Sequence, residues 1–158
     1  MSRTSSFALF LLLAVVAATP LYGQATRAPY TEGSVWSLNF LRIKPGLQDD
    51  YFNIQRATTT RLLEEEKRQG LILSYHFISA PAATPQDWDL LVMIEYKNYA
   101  ALDSLREKTE PLMARVFGGE SERRTQSGRR SEVREIFGTK IGREFILRDS
   151  TAGGRISR

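Results

Sequence analysis

From Val35 to Ile43 the chain carries apolar residues on both alternating sets, then stops at Pro45-Gly46. Trp36, Leu38 and Phe40 fall on one side, and Val35, Leu41 and Ile43 on the other. A strand of this kind is buried on both faces, so it belongs inside a sheet with material above and below it. The proline and glycine end the strand, and Asp49 and Asp50 then open a helix at its electropositive end. Everything else in the chain has to be arranged around this strand, turn and helix.

The helix is expected over Leu47 to Arg68, with Leu47, Tyr51, Ile54, Thr58 and Leu62 forming its buried stripe. Gly70 suits the position just past its end. Leu71 to Ala80 reads as a second strand and Trp88 to Lys97 as a third. The two are joined across the Pro/Ala/Thr segment 81–86 as a hairpin. Asn98 caps a second helix, which Pro111 is expected to divide from a short continuation, Leu112 to Phe117. Residues 118–130 (GGESERRTQSGRR) hold no apolar side chain and read as a mobile basic loop. A short helix from Ser131 to Phe137 and a last strand from Thr139 to Arg148 follow. The expected domain is 34–149, with 26–33 a flexible lead-in and 150–158 a disordered tail.

Strand, helix, strand, strand, helix, strand is the ferredoxin-like βαββαβ order. The expected fold is therefore α+β, a four-stranded antiparallel sheet with helices on one face. That leaves the other face bare, although the first strand is apolar on both sides. Pairing of two copies through the open sheet face, as a dimeric α/β barrel, supplies the missing layer.

The chain has 158 residues, enough for one domain, and 42% are hydrophobic, enough for a core. Arg3, the apolar run Phe7–Ala18, and a helix-breaking stretch ending at Gly23 and Ala25 have the layout of a secretory signal peptide, residues 1–25. Twelve apolar residues are too few for a bilayer, which takes about 20. A secreted or periplasmic location is expected, with no stable membrane span after cleavage. There is no cysteine and one histidine, so neither disulfides nor a metal-ligating set are expected. The formal net charge of +4 is concentrated beyond residue 120. In an exported chain without a recognition helix this argues for a solvated face or an anionic surface rather than nucleic acid.

Two passages carry a family resemblance. Lys44-Pro45-Gly46 followed by Gln48-Asp49-Asp50-Tyr51-Phe52 resembles the first strand-to-helix junction of the dimeric α/β-barrel superfamily, which includes the antibiotic-biosynthesis-monooxygenase-like domains. Ile94-Glu95-Tyr96-Lys97-Asn98-Tyr99-Ala100-Ala101-Leu102 is similar to its third-strand-to-helix passage. The resemblance covers about Ser34 to Leu147 and implies a homodimer. It leaves the activity open among cofactor-free monooxygenases, haem-degrading enzymes, isomerases and proteins with none assigned. Haem-degrading members use an asparagine on the first strand, a tryptophan on the third and a histidine on the second helix. Asn39 and Trp88 match the first two, and the helix from Asn98 to Phe117 has no histidine.

Candidate chemistry lies in polar residues within apolar strands. Asn39 interrupts the first strand, and a buried amide needs a hydrogen-bonding partner. His76 reads either as a hydrogen-bonded structural histidine or as a general base. Glu95 is a structural ion-pair partner or a base with a raised pKa. Asn39, His76 and Glu95 are the candidate catalytic set. Trp36, Tyr75, Trp88, Tyr96 and Glu144 are the candidate ligand-binding residues, with core or interface packing as the plainer reading for the aromatics. No nucleophile elbow, phosphate loop or zinc motif occurs, and no cofactor is called for. The expected function is an exported small-ligand-binding or structural dimer. The alternative is a cofactor-independent monooxygenase or isomerase acting on a small hydrophobic or aromatic molecule.

Overall fold

The computed structural model describes residues 28–148. The segments read as signal peptide and tail, 1–25 and 150–158, lie outside the described residues. The elements are β1 (Tyr30–Ile43), α1 (Gln48–Ala57), α2 (Thr59–Arg68), β2 (Ser74–Ser79), β3 (Leu90–Tyr96), a 3₁₀ turn (Tyr99–Leu102), α3 (Leu105–Phe117), α4 (Glu120–Val133) and β4 (Arg134–Leu147). The strands form one antiparallel sheet in the order β2-β3-β1-β4, the ferredoxin-like arrangement, with β1 inside it.

The alternation of β1 assigns the two faces. Val35, Leu41 and Ile43 are buried under the helices, together with Leu90, Val92 and Tyr96 from the same side of β3. Tyr51 of α1, Leu63 of α2 and Val133 of α4 close that core. Full burial of a side chain of this size contributes about 1.5–3 kcal/mol. The opposite face presents Trp36, Leu38, Phe40, Leu91 and Met93, half-buried against one another, with Ile78 exposed beside them.

Pro45-Gly46 forms the tight turn that the sequence indicates. The Leu47 N–H donates to the Lys44 carbonyl at 3.0 Å, and Gly46 has φ 78°, which a glycine adopts without steric cost. At the end of α2, Gly70 has φ 71°, and the Leu71 N–H reaches back to the Glu66 carbonyl at 2.9 Å, closing the helix.

Several boundaries differ from expectation. Tyr30–Gly33 belong to β1 rather than to a flexible lead-in, and Tyr30, Thr31 and Glu32 pair with Leu147, Ile146 and Phe145. The long first helix is broken at Thr58 (φ −124°, ψ −86°). Three consecutive threonines cause the break: Thr58 Oγ1 donates to the Ile54 carbonyl at 2.6 Å and Thr59 Oγ1 to Gln55 Oε1 at 2.9 Å, in competition with the helix ladder. Pro111 lies inside a continuous α3 rather than dividing it.

The largest correction concerns residues 118–130, read as a mobile loop. Here α4 runs from Glu120 to Val133, with Glu120 and Glu122 in its first turn. Its less exposed residues are Arg123, Gln126, Arg130 and Val133, three and four apart. The helix has an inward face, built mostly from long polar side chains whose hydrocarbon stems cover the neighbouring helices. In consequence β4 begins at Arg134, and only Ser131–Val133 of the expected short helix are helical.

Candidate ligand-binding site

A cavity of about 310 Å³ lies between the sheet and the helices around Asn39. Its sheet side is Leu41, Val92, Ile94 and Ile136, and its helix side is Leu62, Met113 and Phe117. Against this apolar lining stand Asn39, Thr139, Gln55 and Thr59, and at one end Arg130 and Arg134. Ile136 is 64% exposed, so the cavity opens beside β4. Small-molecule sites have this make-up, an apolar body with a few convergent polar groups, and start at about 300 Å³.

Two irregularities build the site. The break at Thr58 separates α1 from α2, with Gln55 on one side and Thr59 on the other, bonded to each other. In β4, Gly138 pairs with Phe40 but Ile136 pairs with Leu41, so Phe137 is an extra residue, a β-bulge. Were Phe137 paired in regular register instead, Arg134 and Ile136 would fall on the opposite face from Thr139. With the bulge, all three line the cavity.

Asn39 is fixed on both ends of its amide. Its Oδ1 accepts from Thr139 Oγ1 at 2.9 Å, and its Nδ2 donates to the Val92 carbonyl and to Ser37 Oγ, each at 3.3 Å. Tyr51 is fully buried beside Arg134, Arg130 and Gln55, behind the cavity lining rather than in it. Burial pushes its pKa up, partly offset by Arg134, so the hydroxyl remains a neutral donor. Burial, then the charge of Arg134, hold the Arg130 guanidinium below its usual range. No acidic residue lines the cavity, and neither arginine forms an ion pair among the described residues.

The strand register separates the proposed catalytic set. Asn39 pairs with Val92, whereas His76 pairs with Met93, one position along, and Glu95 lies three positions from Val92. Both therefore point to the open face, away from the cavity. There, Ser74 Oγ donates to Glu95 at 2.6 Å and lies 3.5 Å from His76 Nε2, and the exposed His76 ring is 6.0 Å from Trp36. Glu144 is exposed on the same face, where it accepts from Ser34 Oγ at 3.4 Å. Trp88 packs at 5.7 Å against Phe40, beside a shallow hollow of about 280 Å³.

Tyr75 and Tyr96 are on the helix face without lining the cavity. Tyr75 donates to Glu64, and burial followed by that bond pushes its hydroxyl up to about 12. Tyr96 is core, its hydroxyl pushed up to about 12 by burial and by the charge of Glu66. Glu66 itself is 7% exposed, and burial pushes its carboxyl up to about 7. Of the residues singled out from the sequence, Asn39 alone lines the cavity. Gln55, Thr59 and Thr139 escaped notice, and Arg130 and Arg134 stood out only as part of the basic stretch beyond residue 120.

Two larger grooves, of about 870 and 670 Å³, run over the helices. Both are lined by exposed charges, with the ion pairs Arg123–Glu110 and Arg124–Glu120 in one and Arg68–Glu65 and Arg115–Glu65 in the other. They are solvated clefts rather than receptive sites.

No protein-family model and no curated protein matches the chain. Among solved structures it is similar to a dimeric ferredoxin-like protein from an uncultured marine organism, at 8% identity and TM-score 0.44, over 75% of this chain and 91% of that one. It is also similar to a conserved protein from Methanosarcina mazei Go1, at 16% identity and TM-score 0.39, over 71% and 91% of the two chains. Neither likeness bears on function.

Proposed function

We infer that this is an exported small-ligand-binding protein that works as a homodimer, with its site in the cavity beside Asn39. The observation that carries the reading is the cavity itself: an apolar lining in which an oriented amide, two hydroxyls and two guanidiniums converge. Export follows from the apolar run Phe7–Ala18 behind Arg3. Dimerisation follows from the uncovered apolar face around Leu38, Phe40 and Met93, to which β4 adds the exposed Ile146.

Binding is favoured over catalysis because Asn39 is on one side of the sheet and His76 and Glu95 on the other. A general base within reach of a molecule in the cavity would have to be a different residue. The test uses the neutral fluorescent probe 1-naphthylamine. The protein is expected to bind it with enhanced emission, and Leu62→Trp, which fills the cavity, to abolish the enhancement. Absence of binding, or binding indifferent to Leu62→Trp, overturns the reading.

A further inference from the structure

We propose that the cavity takes an amphipathic organic anion, an apolar body in the Leu62–Met113–Phe117 chamber and a single oxyanion group held by Arg130 and Arg134. The inference rests on the ligand-binding reading above and names the class of molecule.

Charge is the first observation. Two guanidiniums stand at the same end of an apolar cavity, close enough that Arg134 opposes the ionisation of Arg130. Like charges held together away from bulk water destabilise the fold unless a counter-charge is supplied. Among the described residues no acid lines the cavity: Glu132 and Glu135, the nearest in sequence, are exposed, and Glu135 stands opposite Arg42 in the strand register, on the open face. Other arginines of the same region, Arg123 and Arg124, do have carboxylate partners. Arg129 of the same helix has none either among the described residues, but it is exposed, whereas Arg130 and Arg134 are partly buried against the cavity.

Arg130 and Arg134 both line the cavity, and a guanidinium donates to an oxyanion through a planar fork, in charge-assisted bonds about twice as strong as neutral ones.

Size and lining set the rest of the molecule. At about 30 Å³ for a water-sized volume, the cavity has room for roughly ten to fifteen non-hydrogen atoms. Inorganic anions would leave the apolar chamber empty, and long-chain lipids would exceed it. A medium-chain or small aromatic acid fits both ends.

Octanoate and 1-octanol, matched in length and different in charge, are the discriminating pair. Each is titrated against bound 1-naphthylamine at a pH where octanoate is ionised. Octanoate is expected to displace the probe at a concentration at least tenfold lower than 1-octanol. In the double variant Arg130→Gln/Arg134→Gln the preference should fall below about twofold, with probe binding retained. Equal competition by the two in the unmodified protein overturns the anion assignment and leaves the ligand-binding reading standing, and needs no variant to be folded. A preference that survives the double variant overturns the role of the arginines. Failure of the probe to bind at all overturns both readings together.

Discussion

Glu66 and Asn39 are two polar side chains under the same helices, with opposite consequences. Asn39 is satisfied at both ends of its amide, by Thr139 and by the Val92 carbonyl. Replacing it with alanine strands those partners and should cost about 1 kcal/mol in chemical denaturation. His76, exposed on the other face, should tolerate alanine within about 0.5 kcal/mol and leave probe binding unchanged. Glu66 has no cation beside it, and burial raises its carboxyl to about 7. In the unfolded chain it releases its proton near its ordinary value, so between there and about pH 7 the folded state binds more protons. Stability contributed by the neutral form is therefore full at low pH and is lost as pH rises through about 7. Glu66→Gln should remove this dependence and stabilise the protein at pH 8 by on the order of 2 kcal/mol, read as the difference between denaturation midpoints at pH 5 and pH 8. Asn39 was legible in the sequence because it is polar within an apolar strand. His76 and Glu95 were equally conspicuous, but which face they occupy depends on the pairing of β2 and β3 with β1, which no single strand records.

At the scale of elements, β1 and the turn after it could be read directly, since apolar alternation and Pro45-Gly46 are local signals. The helix α4 could not. Its inward face is Arg123, Gln126, Arg130 and Val133, and a rule that looks for apolar side chains sees one residue in four. The same blindness hid the cavity's basic end. In α3, Pro111 occupies an interior position, exposed, with no N–H for the Glu107 carbonyl. Pro111→Ala should raise stability by about 1–3 kcal/mol in urea denaturation without altering probe binding. Deleting Phe137 removes the extra residue of β4. Ile136 and Arg134 then stay at alternate positions with Thr139, on the cavity side, so the preference for octanoate over 1-octanol should survive the deletion.

The whole molecule is one-sided. Helices cover one face of the sheet, while Trp36, Leu38, Phe40, Leu91 and Met93 crowd the other without a covering layer. The edge strand β4 adds Ile146 to this side, whereas Ile141, Phe145 and Leu147 are exposed on its other parity. A second copy placed against this side would bury what the chain leaves open, and its apolar character is that of an obligate interface. Sedimentation at micromolar concentration should report a dimer, and Met93→Lys should yield a monomer of lower, concentration-independent stability. No helix among the described residues is long and apolar enough to cross a membrane. The four-stranded order was recoverable from the succession of elements, because a βαββαβ succession with antiparallel pairing leaves few arrangements for the sheet.

The extra residue at Phe137 has a meaning for comparing this chain with others. Positions before it and after it in β4 obey opposite parities, so inward and outward exchange places across a single residue. A related chain that lacks the insertion, aligned without a gap, would match an inward residue here to an outward one there along the whole start of its last strand. Whether a relative keeps the basic end of the cavity has to be decided by counting back from its own bulge, and a basic residue in the column of Arg134 is no evidence by itself that the cavity has been inherited.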